Sequence, residues 1–204
     1  KRKSRRKKES KRGEDWRKVR IFLGLGNPGK EYSQTRHNVG FMVIDNFLKN
    51  FKDYQEKKHK FFISYEYVLD EKKIILIKPR TYINESGIVF KKVLDTYKVK
   101  VEDIVVIHDD LGIETGKIKI VFDKGDNGHK GIISIFNTIE TKNFYRIRIG
   151  IGGEKIQVPY VSYVLSPFNQ QEKEKINNAI GKAVQAMEVI IKSGIEKAMT
   201  IYNR

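Results

Sequence analysis

Cysteine is absent from the 204-residue chain. That excludes a disulfide framework and a thiolate metal site, and it suits a reducing compartment. No stretch approaches the roughly 18 consecutive apolar residues that a membrane span needs, so no membrane partner is expected. The amino-terminal segment lacks the apolar centre of a secretory signal. No internal repeat and no interior linker is visible. Acidic residues are the scarcer charge, 25 Asp and Glu against 41 Lys and Arg, a formal net charge of +16. That balance favours a polyanionic partner such as nucleic acid.

The excess is concentrated at one end. Residues 1–20 hold 12 basic and 3 acidic residues, and the rest of the chain carries a net +7. Lys1–Arg12 contains no apolar residue, so it cannot bury a face and reads as a disordered arm. Two regions are expected, a basic arm over 1–18 and one folded domain over 19–204. The chain opens on Lys, which reads as a processed or trimmed product. The arm is a nucleic-acid or ribosome contact, an address signal, or merely a solvated tail, and local composition does not choose among these.

After Val19 the pattern changes. Val19–Leu25 is an apolar run ending in glycines, the mark of a buried strand. Thr35–Phe51 carries Val39, Val43, Phe47 and Phe51 at four-residue steps, one helical face. Phe61–Leu69, Ile74–Ile77 and Ile104–Ile107 read as strands, and Glu85–Tyr97 as a helix. Lys117–Phe122 alternates Lys with Ile, as in a strand exposed on one face. A glycine-rich loop over Lys124–Gly131 precedes a helix at Ile132–Ile139. Tyr145–Ile151 is a strand that would present Arg146 and Arg148 on one face. Two helices, Glu172–Ile191 and Gly194–Ile201, end the chain. Interleaved strands and helices predict an α/β class, with a single central mixed sheet sandwiched by helices.

Several motifs carry chemistry. Gly24-Leu25-Gly26-Asn27-Pro28-Gly29 formally matches a dinucleotide fingerprint. The context disagrees, because no apolar periodicity follows Gly29 and the acid near the required distance, Asp45, lies inside a helix. The alternative is a rigid turn at a strand end that projects Asn27, whose amide either orients a carbonyl or water or simply bonds within the turn. His37 opens the next helix, beside unpaired backbone N–H groups, as a base or as an ordinary polar surface residue. His108-Asp109-Asp110 follows a buried strand, where acids commonly line sites. An Asp that accepts from an imidazole N–H fixes its tautomer. These acids with His37 or His129 would be the metal reading, but nothing has metal-ligand spacing, so no metal is expected. Asn84, between Pro79 and Gly87, either caps a helix or aims its amide into a crevice.

Together these motifs resemble bacterial-type peptidyl-tRNA hydrolases. The resemblance runs from about Val19 to Arg204. It is carried by GLGNPGKEYSQTRHNVGF at 24–41, KPRTYINESG at 78–87, HDDL at 108–111 and NFYRIRIGIGG at 143–153. The resemblance implies hydrolysis of the ester joining peptide to tRNA, recycling tRNA from aborted translation without metal or cofactor. It implies that His37 is the general base, that Asp109 orients and stabilises the imidazole, and that Asn27 helps distinguish blocked from free aminoacyl-tRNA. Tyr32, Tyr82 and Asn84 match positions that bind the 3′ end and peptide. The family usually has Phe where Tyr82 stands. A cytoplasmic monomer acting on peptidyl-tRNA is expected, with an organellar setting if the arm is an address, and ribosome or rRNA contact if it is a binding element.

Three positions depart from the family pattern. Lys130 replaces an asparagine that contacts substrate, and a cation there can bind a phosphate or polarise the ester carbonyl. Arg148 matches the arginine of a 5′-phosphate clamp, but the clamp's lysine position holds Val121. Lys119, two residues earlier and on the same face, is the expected substitute, with Lys124 as a second candidate. Gly112 stands where an acid is common. The competing function is a non-catalytic RNA-binding relative on the same scaffold, associated with ribosome or intron. A nucleotide-binding oxidoreductase ranks third.

Overall fold

The apolar run that follows Val19 becomes the centre of the sheet. A computed structural model describes residues 19–204 except 70, 154–155, 157 and 204, so the basic arm lies outside the described residues. The elements are β1 Val19–Gly24, α1 Val39–Leu48, β2 Gln55–Lys58, β3 Phe62–Leu69, β4 Lys72–Pro79, α2 Ser86–Tyr97, β5 Ile104–Glu114, β6 Ile118–Phe122, α3 Lys130–Ile139, β7 Tyr145–Gly152, α4 Tyr160–Val164, α5 Gln170–Ser193 and α6 Ile195–Tyr202. They build one seven-stranded sheet in the order β2-β3-β4-β1-β5-β7-β6. β1 runs parallel to β4 and β5, and β5 parallel to β7. The outer pairings β2–β3, β3–β4 and β6–β7 are antiparallel, so the sheet is mixed, as the sequence predicts.

Two apolar layers hold the helices to the sheet. Phe22, Leu76 and Ile107 face a core with α1, α5 and α6, including Val43, Phe47, Ala183 and Met187. Ile21, Leu23 and Val106 face the other core with α2 and α3, including Val89, Phe90 and Ile132. Ile21, Phe22 and Leu23 are all fully buried, which is why β1 reads as a continuous apolar run rather than an alternation. The crevice beside β1, where the strand order runs outward in both directions, is the usual ligand position of such sheets.

Glycine decides how closely α1 approaches that crevice. A Cβ on Gly40 would lie 2.5 Å from the carbonyl oxygens of both Ile107 and Leu25, and one on Gly24 would lie 2.5 Å from the Gly40 oxygen. Only bare backbone permits this contact. It pins the start of α1, and with it His37, against the ends of β1 and β5.

Local details differ from the sequence expectations. Arg36–Asn38 is a 3₁₀ turn ahead of α1, so His37 precedes the helix instead of opening it. β5 continues through His108, Asp109 and Asp110 to Glu114, with a register shift against β7 after Asp110. α3 begins at Lys130, capped by the His129 side chain. β2 is a polar edge strand, Gln-Glu-Lys-Lys, and α4 has only five residues. Neither carries the apolar periodicity that would reveal it.

Arg146 and Arg148 do share a face of β7, but they do not present free guanidiniums. Arg146 is 1% exposed, and its Nη2 donates to the carbonyls of Lys124 at 2.7 Å and Gly125 at 3.1 Å. Burial, helped by the charge of Arg148, pushes its pKa down to about 10. It acts as a latch on the loop that carries His129, and Arg148 donates its Nε to Asp110.

Candidate active site

The segments at the carboxyl ends of β1, β4 and β5 converge on a cleft of about 600 Å³. Asn27, His37, Asp109 and His129 form its polar floor, with Tyr32, Tyr82, Asn84 and Lys130 on the walls and α4 supplying the apolar side through Tyr160, Val161 and Val164. Sequence positions more than 100 residues apart thus meet in one crevice.

Asp109 is the hub. Its carboxylate is 2% exposed and accepts from His37 Nδ1 at 2.9 and 3.0 Å and from His129 Nε2 at 2.9 Å. Burial alone would raise the Asp109 pKa, but the two imidazoles hold it well below the usual carboxylate range. It is therefore an anion at neutral pH. The tautomers follow from the partners. With Nδ1–H committed to Asp109, the neutral form of the His37 ring carries its lone pair on Nε2, and no protein partner occupies that nitrogen among the described residues. His129 Nδ1 accepts from the Ile132 amide at 3.3 Å, so its Nε2 is the donor to Asp109.

Asn27 divides its amide between structure and cleft. Its backbone N–H donates to Asn38 Oδ1 at 2.8 Å, and its carbonyl accepts from Asn38 Nδ2 at 2.9 Å. Its Oδ1 accepts from the Ile83 amide at 2.8 Å. That bond leaves the turn and ties it to the segment after β4. The Nδ2 group keeps its donors for a ligand. Asn84 does not cap α2, since the N-cap position is Glu85 and no side-chain cap bond is formed. It lies exposed on the cleft wall, where Tyr32 and Tyr82 meet edge to face at 6.3 Å between centroids.

Asp110 also lines the cleft but is neutralised by Arg148, and it accepts from the Gly112 amide at 2.7 Å. Lys119 stands directly opposite Arg148 on the neighbouring strand, exposed and away from the cleft. Neither residue lines the cleft, Arg148 adjoins it through Asp110, and Lys119 has no carboxylate partner among the described residues.

Sequence reasoning missed three residues. His129 was visible only as a metal candidate, and its place in the glycine-rich loop was the available signal. Asn38 locks the Asn27 turn. Arg36 is 5% exposed and ties the His37 turn to the segment after α4, donating to Ser166 Oγ at 2.6 Å, the Pro167 carbonyl at 2.9 Å and Glu172 at 2.5 Å. Beneath the floor, His108 is fully buried and donates Nδ1–H to the Asp109 carbonyl at 2.6 Å. Burial, with the neighbouring His129 and Arg146, holds its pKa well below the usual histidine value, so it is neutral packing.

His37, Asp109 and His129 form the one group among the described residues whose ligand atoms lie within 4.8 Å of one another. Those atoms are already spent on each other, since both imidazoles give their proton to the shared carboxylate. A cation would have to displace both bonds, and the set fits a hydrogen-bond relay better than a metal centre.

An imidazole held by a buried carboxylate, beside a free amide donor, is an arrangement able to serve ester or amide hydrolysis. The family model described as peptidyl-tRNA hydrolase matches residues 21–204. The chain belongs to the peptidyl-tRNA hydrolase family. Among curated relatives, the peptidyl-tRNA hydrolase of Thermodesulfovibrio yellowstonii is 45% identical over 90% of this chain and 98% of its own length. That of Aquifex aeolicus is 41% identical over 91% and 97%. The crystal structure of peptidyl-tRNA hydrolase from Acinetobacter baumannii superposes with a TM-score of 0.82 at 30% identity, covering 90% of this chain and 93% of that one. The family's fold accounts for the mixed sheet and for the cleft at the ends of β1, β4 and β5.

Proposed function

We infer that the chain hydrolyses the ester bond between peptide and tRNA, using His37 as general base and no metal. The observation that carries this reading is the bond from His37 Nδ1 to the buried Asp109 carboxylate, which leaves Nε2 available to a water in the cleft.

The chemistry balances with these groups alone. Nε2 takes a proton from water as the oxygen attacks the ester carbonyl carbon. The carbonyl π electrons move onto oxygen, and the Asn27 Nδ2 donors stabilise the developing charge. The imidazolium formed at His37 is held by the Asp109 anion. As the tetrahedral intermediate collapses, the bond to the ribose oxygen breaks and that oxygen takes the proton back from Nε2. A positioned base contributes roughly 10²–10⁴-fold, and the oxyanion donor roughly 10²–10³-fold.

Tyr32, Tyr82 and Asn84 are placed to hold the 3′-terminal nucleotide and the peptide bonds beside it, with base stacking on an exposed Tyr82 ring. Lys119 takes the role of phosphate contact, since Arg148 is committed to Asp110. The intact catalytic set does not favour the non-catalytic RNA-binding alternative. No helix among the described residues is long and apolar enough to cross a membrane. The expected setting remains a cytoplasmic monomer, with the basic arm adding affinity for tRNA or ribosomal RNA.

The test is release of peptide from N-blocked aminoacyl-tRNA, with His37→Ala and unblocked aminoacyl-tRNA as controls, repeated in the presence of a chelator. Turnover that survives the chelator, is lost in the variant and is absent on unblocked substrate is expected. A folded wild type that binds tRNA without turnover would overturn the reading, and inhibition by the chelator would overturn the metal-free mechanism.

A further inference from the structure

One charged side chain of the cleft lining has no partner among the described residues. Three charged side chains line it: Asp109, Asp110 and Lys130. Asp109 keeps its charge, but its oxygens are taken by two imidazole N–H donors. Asp110 is paired with Arg148 and also accepts from the Gly112 amide. Lys130 has no carboxylate partner among the described residues, and it is exposed at the start of α3. Every other lining group is an amide, a phenol, an imidazole, glycine backbone or hydrocarbon. The one charged lining group that no side chain engages, among the described residues, is therefore an ammonium.

Its neighbours are built to hold it in place. Lys130 follows His129, whose two ring nitrogens are both engaged, one by Asp109 and one by the Ile132 amide. The preceding loop is latched by Arg146 through the carbonyls of Lys124 and Gly125. The Lys130 backbone is thus fixed to the catalytic floor while its ammonium remains unclaimed. An ammonium on the cleft wall with no partner is free to form a charge-assisted hydrogen bond with an anionic oxygen.

We propose that Lys130 is a specificity-determining residue that binds an anionic oxygen of the substrate. Two parts of a peptidyl-tRNA carry one near the scissile ester: the 3′-terminal phosphodiester, and an acidic side chain on the esterified residue. The proposal rests on the hydrolase reading and names the substrate chemistry that this particular cleft prefers.

The experiment uses the full chain and one tRNA body charged with N-acetylated aspartate, asparagine or phenylalanine. Wild type, Lys130→Met and Lys130→Arg are compared for kcat and KM. Lys130→Met is expected to raise KM about tenfold, the scale of one charge contact of about 1.4 kcal/mol, with kcat held within a few-fold. Lys130→Arg should recover most of the loss. A rise in KM shared by all three substrates, with a salt slope shallower by about 0.7–0.9, assigns the phosphodiester. A rise confined to the aspartyl substrate assigns the side-chain carboxylate.

Unchanged KM on every substrate overturns the proposal. So does a fall in kcat at constant KM, which would place the ammonium on the reacting carbonyl. Equilibrium Kd values for the same substrates, measured with Lys130→Met on a His37→Ala background, keep the two questions apart. Absence of turnover by the wild type would sink the hydrolase reading and leave this binding comparison intact. Equal Kd values with and without the ammonium would sink the Lys130 proposal alone.

Discussion

Asp109→Asn isolates the charge at the centre of the site while keeping nearly the same shape. The carboxylate accepts from two rings at once, and Oδ1 is shared between them at 3.0 Å from His37 Nδ1 and 2.9 Å from His129 Nε2. An asparagine that keeps its oxygen in the shared position puts its NH₂ where Oδ2 now lies, 2.9 Å from the His37 Nδ1–H. Two donors then face each other. The conflict is relieved only if His37 turns away or changes tautomer, and the second course puts the proton on Nε2, the nitrogen that the proposed mechanism uses as base. His129 cannot yield, because its Nδ1 already accepts from Ile132.

The charge is lost as well. A full charge pair about 3 Å apart is worth about 5 kcal/mol at an effective dielectric near 20. The imidazolium is only partly developed in the transition state, so about 3–5 kcal/mol of its stabilisation is removed. That corresponds to roughly 10²–10⁴-fold in kcat. Single-turnover hydrolysis of N-blocked aminoacyl-tRNA measures the effect free of product release, and near-ultraviolet circular dichroism reports whether the fold survives. A folded Asp109→Asn protein retaining kcat within tenfold of wild type would refute the role given to this carboxylate.

Other outcomes follow from the same geometry. Gly40→Ala places a methyl 2.5 Å from two backbone carbonyls. Neither can retreat without parting α1 from the sheet, so thermal unfolding should show a loss of about 1–3 kcal/mol together with reduced kcat, and an unchanged Tm would contradict the close-approach argument. Glu66, nearly buried on β3, loses to desolvation but is bonded by Lys57, Lys73 and Tyr97, which bring its pKa from 4.5 to about 2. A depressed carboxylate stabilises the fold above its unfolded pKa. That contribution, about 1–2 kcal/mol after screening at the exposed lysine ends, should vanish as pH falls from about 4.5 to about 2. The Glu66→Gln protein should lack that part of the acid transition in urea titrations at each pH. Deleting residues 1–12 should weaken tRNA binding and flatten its dependence on salt, and an identical slope would show that the arm makes no RNA contact.

Most of the sheet and its longer helices are legible in the sequence. Buried parallel strands need continuous apolar runs, and Val19–Leu25, Ile74–Ile77 and Ile104–Ile107 supply them. Helices α1, α2 and α5 bury one face each, and their four-residue spacing records it. The near-verbatim motifs also placed His37, Asp109, Asn27, Tyr32, Tyr82 and Asn84 as candidates, and all six line one cleft. What carries no such signal stayed hidden. β2 is a polar edge strand held by backbone pairing with β3, a bond type indifferent to side chains. β5 continues past its apolar stretch because β7 pairs with His108, Asp109 and Asp110.

Charge states depend on contacts between distant segments. Two arginines alternating on β7 look equivalent in sequence, yet Arg146 is sealed under a loop and Arg148 is consumed by Asp110. Three adjacent residues, His108, Asp109 and Asp110, become a neutral packed imidazole, a two-histidine anion and half of an ion pair. Which partner each meets depends on segments far along the chain, and a titratable group has no fixed character until those partners and its burial are set. Lys130 is a further case: His129 beside it and Arg146 under its loop are engaged elsewhere, and only the fold leaves it on the cleft wall.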